Sequence, residues 1–233
     1  MTRRAVLVVA LAALSAPAAG GPSSMVAWTI ETVRLVRSGD AGKGRTLQGD
    51  CSGCHGETGD VETPDVPNLA GQERLYIFKQ LQDYKSKSRS SPIMGEAVTA
   101  LSDRDMADLA AFYAAQKPSY AGGARRRPDR AIAGLVSLGD GARLIPACDA
   151  CHGRRGAGNP GFYGMPGLRN QKEADLSYQL TTFRSGERGN DVYRVMRDIS
   201  KQLTDAEIAS LAAYYSGAAG KPAGSAAGGP QEK

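Results

Sequence analysis

The chain has 233 residues, a formal net charge of +5, 41% apolar and 6% aromatic side chains, which gives room for two small domains with little aromatic bulk in their cores. Its four cysteines and two histidines all lie in two short motifs, so nothing remains for a disulfide framework, a catalytic triad or a His-rich metal site. The excess of positive charge shrinks to 27 basic against 24 acidic side chains once Arg3 and Arg4 are set aside with a leader, so nucleic acid is not an expected partner.

Residues 1–19 read as a signal peptide. Thr2-Arg3-Arg4 is a basic start, Ala5 to Leu14 an uncharged apolar core, and Ser15-Ala16-Pro17-Ala18-Ala19 a small-residue cleavage region. A membrane span needs about 20 apolar residues, and Pro17, Gly20, Gly21 and Pro22 interrupt this stretch. The expectation is export to the periplasm, compatible with peripheral association with the inner membrane. A short lead from Val26 to Arg37 has helical character and precedes a first half at 38–117.

That half is organised around Cys51-Ser52-Gly53-Cys54-His55, and a second half at 134–217 around Cys148-Asp149-Ala150-Cys151-His152. In Cys-x-x-Cys-His, two thiols one helical turn apart add across the vinyl groups of a haem, and the adjacent imidazole reaches the iron. Zinc is the competing reading, but the paired cysteines of zinc ribbons lie about 15–20 residues apart, whereas Cys51 and Cys148 are 97 positions apart and each pair has its own histidine. Two covalently bound haem c groups are therefore expected.

The halves repeat each other in order. Gly39-Asp40 and Gly139-Asp140 precede the motifs, each aspartate able to cap a helix leading to the cysteines. Pro67-Asn68-Leu69-Ala70-Gly71-Gln72 follows one motif and Pro166-Gly167-Leu168-Arg169-Asn170-Gln171 the other. A proline carbonyl here can receive the second ring N–H of the histidine and fix its orientation, although a simple turn proline fits equally well. Amphipathic helices come next, with Gln80-Leu81 opposite Gln179-Leu180 and Arg89 opposite Arg188. Each half ends in a helix, from Leu101 and from Leu203, with capping-box pairs Ser102/Asp105 and Thr204/Glu207. Their apolar stripes are Met106, Leu109, Ala110 and Tyr113, and Ile208, Leu211, Ala212 and Tyr215. Residues 118–133, rich in Pro, Gly and Arg, read as a linker, and 218–233 as a flexible tail.

With both histidines used, methionine is the natural sixth ligand. Met94 lies seven residues before Leu101 and Met196 seven before Leu203, so these two match across the halves. Met106 falls opposite Ile208 on a buried stripe, and Met165 falls opposite Val66 without a partner.

These stretches, with IPACDACHGRRGAGN from Ile145, FRSGERGND from Phe183, VMRDISKQLTDAEIASLAAYY from Val195 and LSDRDMADLAAFYAAQ from Leu101, resemble cytochrome c4, the two-haem family of class I cytochromes c. The resemblance covers nearly the whole mature chain. It implies an all-α fold of two tandem cytochrome c domains about a pseudo-two-fold axis, with haem propionates near their interface. It also implies electron transfer between a quinol–cytochrome c reductase and a terminal oxidase or other acceptor, with no small-molecule substrate and no catalysis. Cys51, Cys54, His55 and Met94 would hold one haem, and Cys148, Cys151, His152 and Met196 the other. The sequence departs from the family in its tail, its arginine-rich linker and a first-half loop of five residues from Arg89 to Met94 against eight from Arg188 to Met196. Two alternatives stay open: an electron-accepting subunit of a periplasmic dehydrogenase, for example one oxidising sulfur compounds, and a two-haem peroxidase.

Overall fold

A computed structural model of the chain describes residues 29–61, 63, 65–118, 127–159, 164–169 and 171–216. The expected signal peptide, half of the linker (119–126) and the tail lie outside the described residues.

Helix α1 (Ile30–Arg37) starts at Thr29, whose hydroxyl accepts the Thr32 N–H, and buries Val36. Asp40 caps α2 (Ala41–Leu47) by accepting the Gly42 and Lys43 N–H groups. The first motif forms α3 (Gly49–His55), followed by α4 (Arg74–Lys85), α5 (Pro92–Ala97) and α6 (Asp103–Ala115). Helix α2 crosses α6 so closely that a Cβ on Gly44 would sit 2.1 Å from the Asp108 carbonyl oxygen; only glycine allows that crossing. Val36, Leu75, Phe78, Met106, Leu109, Phe112 and Tyr113 form the first core.

The second bundle begins at Ile132, which is buried in the second core together with Leu135, Ile145, Leu176, Ile208, Leu211 and Tyr215. Its helices are α7 (Ala133–Ser137), α8 (Cys148–His152), α9 (Glu173–Ser185), α10 (Val195–Lys201) and α11 (Asp205–Ser216). Asp140 caps only a 3-10 turn, Gly141–Arg143, where Asp40 caps a full helix. Fewer residues separate the cap from the cysteines here, and Pro146 cannot supply the N–H that a continuing helix needs. The chain instead makes an isolated antiparallel bridge between Asp140 and Ile145, and the described residues otherwise hold no strand.

Both expected capping boxes form. The Ser102 pair is reciprocal with Asp105. Thr204 N–H donates to Glu207 at 2.8 Å, and Glu207 N–H donates to the Thr204 hydroxyl at 3.2 Å. Glu207 also receives both terminal nitrogens of Arg143, at 3.0 and 2.8 Å, which ties α11 to the turn before the second motif. Arg143 holds the Glu207 carboxyl down at about 2. A depressed folded pKa contributes stability above the unfolded value and loses it as pH falls through the folded value. Acid denaturation of the second half should therefore lean on this group between about pH 4.5 and 2, and Glu207→Gln should flatten the stability–pH curve in that window. An unchanged slope in acid titrations of unfolding would contradict the pairing.

The two halves meet along a seam with two-fold logic. Gln72 bonds the Gly167 backbone through both its amide atoms, at 2.9 and 2.8 Å, and its repeat equivalent Gln171 does the same to Asn68, at 3.0 and 2.8 Å. Arg89 reaches Gln179 across the seam at 3.3 Å, and Arg188 reaches Gln80 at 3.1 Å. Such exchange of equivalent contacts is the signature of an isologous interface. The expected all-α pair of domains and its pseudo-two-fold axis are both present.

Candidate functional site

Cys51 and Cys54 lie on α3 about one helical turn apart, and Cys148 and Cys151 lie likewise on α8. Glycine ends both helices in the left-handed region, Gly56 at φ 73° and Gly153 at φ 75°. The chain can then double back over the histidine that precedes it. Each returning strand of backbone delivers a proline carbonyl to that histidine. His55 Nδ1 is 3.1 Å from Pro67 O, and His152 Nδ1 is 2.8 Å from Pro166 O.

A carbonyl can only accept, so Nδ1 carries the proton and Nε2 is left with its lone pair. Burial lowers the pKa of both imidazoles, which keeps them neutral and suited to bind a metal. The two-way reading of these prolines is thus resolved in favour of histidine orientation.

The cysteines are unpaired. Burial pushes the Cys148 thiol up to about 11 and moves Cys51 in the same direction. Among the described residues no three His, Cys, Asp or Glu side chains cluster as a metal site.

Met94 and Met196 occupy equivalent places, in the first turns of α5 and α10. Both are half-buried, as is Met165, whereas Met106 is fully buried in the first core. Ser91 fixes the start of α5, its hydroxyl accepting the Met94 N–H at 3.3 Å. Before α10 the chain takes two consecutive left-handed residues, Tyr193 at φ 55° and Arg194 at φ 61°, a sparsely populated conformation for such side chains.

Sequence reasoning matched Arg89 with Arg188 but assigned them no role. Both are half-buried at the seam, Arg89 bonding Gln80 at 2.7 Å and Arg188 bonding Gln179 at 2.5 Å within their own halves. Burial and the neighbouring Arg188 lower the pKa of Arg89. Like charges brought together out of water call for anions, and haem propionates are anions of the required kind. The tied imidazoles, the pair of cysteines on each attachment helix and this positive seam together fit two haem c groups.

A second seam cluster had no counterpart in the repeat. Lys79 pairs with Asp83, and both are buried. Asn190, from the longer second-half loop, donates to Asp83 at 2.7 Å and to Gln80 at 3.0 Å. The available signals were the i, i+4 spacing of Lys79 and Asp83 on α4 and that loop's extra length.

Comparison with known proteins agrees with this geometry. The cytochrome c family matches the chain twice, over residues 40–117 and 139–217. Cytochrome c4 of Pseudomonas aeruginosa is 37% identical over 183 residues, which cover 77% of this chain and 89% of that protein. A thiosulfate dehydrogenase electron acceptor of Stutzerimonas stutzeri is 34% identical, covering 75% of this chain and 81% of its own length. Reduced recombinant cytochrome c4 from Pseudomonas stutzeri superposes with a TM-score of 0.69 at 35% identity, over 76% of this chain and 98% of that one.

Proposed function

The chain belongs to the cytochrome c4 family, with two covalently bound haem c groups and a role in electron transfer, and on that footing we propose that it is an exported periplasmic carrier and not an enzyme. Cys51 and Cys54 would tether the first haem, with His55 and Met94 binding its iron; Cys148 and Cys151 would tether the second, with His152 and Met196 binding its iron. The bound haems supply one-electron exchange between ferrous and ferric iron.

The chain's own residues do the rest. Pro67 and Pro166 hold the imidazoles at Nδ1, and each histidine is the buried residue of its attachment helix. With a histidine and a methionine both bound to each iron, neither iron would offer a site to a substrate or to peroxide. The observation that carries this reading is the duplication itself: one imidazole, tied the same way, beside one Cys-x-x-Cys helix in each half. Donor and acceptor are then redox proteins, a quinol–cytochrome c reductase on one side and a terminal oxidase on the other.

A second reading, the electron-accepting subunit of a periplasmic dehydrogenase, is favoured by the similarity to thiosulfate dehydrogenase electron acceptors. Intact mass under denaturing conditions should equal the processed chain plus two haems, and a mass without a covalent adduct would end the haem reading. The ferrous protein should be oxidised rapidly by a terminal oxidase in a salt-dependent reaction, with negligible peroxidase turnover. Purification only as a stoichiometric complex with a dehydrogenase would replace the carrier with the subunit.

A further inference from the structure

The carbonyls that orient the two axial histidines sit in short loops, and each loop is held from two sides. On the far side its own domain holds it: the Leu69 and Ala70 N–H groups donate to Gly59 O at 2.7 and 3.1 Å, and the Leu168 and Arg169 N–H groups donate to Gly156 O, both at 2.9 Å. On the near side, at the residue directly after the proline, the hold comes from the other domain. Asn68 gives its N–H to Gln171 Oε1 at 3.0 Å and receives Gln171 Nε2 on its carbonyl at 2.8 Å. Gly167 makes the matching pair with Gln72 at 2.8 and 2.9 Å.

Gln72, Gln171 and Asn68 are each no more than 8% exposed. The residues next to the glutamines reinforce the arrangement. Lys172 donates to Val66 O at 2.8 Å, just before Pro67, and Glu73 accepts the Gly164 N–H at 3.1 Å, just before Met165 and Pro166.

We infer that Gln171 is a positioning residue for His55 and Gln72 for His152, so that each domain sets the axial histidine, and through it the haem potential, of the other. An amide that bonds both the N–H and the C=O of one residue fixes the two peptide units on either side of its Cα in position and orientation. The proline carbonyl shares the planar peptide unit of the bonded N–H, so it points at Nδ1 with little freedom. A firm Nδ1–H bond raises the basicity of the ligating nitrogen, which favours ferric iron. Loosening it favours ferrous iron and raises the potential. The control is crossed: the residue belongs to one domain and the affected haem to the other.

The inference rests on the two-haem His/Met reading, and the test separates the two. In the holoprotein, Gln171→Met keeps the side-chain length and removes both hydrogen bonds. Poised at a fixed applied potential, the His55 haem should show a ferric-to-ferrous ratio lowered about three- to tenfold, about 30 to 60 mV at 59 mV per decade. The His152 haem should be unmoved, each haem being followed through its own methionine methyl resonance. Gln72→Met should do the reverse. Gln171→Glu, which keeps an acceptor for the Asn68 N–H, should give a smaller shift of the same haem.

A shift in the mutated domain's own haem, equal shifts in both, or no shift would each overturn the clamp. Absence of two haems or of methionine bands in the unmutated protein would instead overturn the ligand reading. If the variants do not accumulate, hydrogen exchange on the unmutated holoprotein decides. The Asn68 and Gly167 amides, although outside any helix, should exchange slowly, and exchange at open-loop rates would overturn the proposal.

Discussion

Replacing Met94 by alanine should abolish the methionine-to-ferric charge-transfer band of the first haem and lower its potential, and Met196→Ala should do the same to the second. A thioether is a soft donor that favours ferrous iron; in its absence water or another oxygen donor favours the ferric state. The fall should exceed about 100 mV, a factor of about fifty in the oxidised-to-reduced ratio. Each variant should also open one iron to peroxide, so peroxide turnover should rise above that of the unmutated protein. Met106→Leu and Met165→Leu serve as controls. Met106 is fully buried against the first core, and a swap of similar volume costs less than about 1.5 kcal/mol there, with both bands intact. Loss of a band in Met165→Leu would overturn the assignment.

The repeat made most of the fold legible. Capping residues and apolar stripes are local signals, so α6 and α11 could be read from Ser102, Asp105 and Thr204, Glu207 with their buried faces. Matching one half to the other turned Pro67 and Pro166 from turn residues into candidates for histidine orientation, and the hydrogen bonds to His55 and His152 bear that out. The same comparison was blind where the halves differ. Lys79 falls opposite Tyr178 and Asp83 opposite Thr182, so the repeat did not mark them as partners, and only their i, i+4 spacing on α4 did. Their third member, Asn190, lies in the longer loop and reaches them only once the domains are docked. The crossed bonds of Gln72 and Gln171 were hidden for a related reason: a glutamine repeated in both halves reads as an own-domain contact, and only the packed seam puts it on its counterpart's loop.

That docked cluster carries the largest expected stability effect. Lys79 and Asp83 are buried, with side chains 4% and 0% exposed, and burial lowers the pKa of the Lys79 ammonium. Lys79 also donates to Asn190 O at 2.5 Å, while Arg188 holds Asn190 Oδ1 at 3.0 Å. Asp83→Ala would strand an ammonium out of water with a single backbone carbonyl as its partner, and breaking a buried pair in this way costs about 3 to 5 kcal/mol. Set against a total stability of about 5 to 15 kcal/mol, the loss should be plain in denaturant unfolding. The double variant Lys79→Met/Asp83→Leu removes both charges and refills the space, and buried pairs exchanged for apolar groups are often neutral or better. It should therefore be more stable than Asp83→Ala, which would place the cost in the orphaned charge and not in lost packing. Because Asn190 belongs to the second half and Lys79 to the first, the damage should fall on the seam. Unfolding of Asp83→Ala, followed separately at each haem, should split into two transitions, and electron exchange between the haems should slow. A cost under about 1 kcal/mol, the range of an exposed pair, would mean that water reaches Lys79 and that the cluster does not hold the domains together.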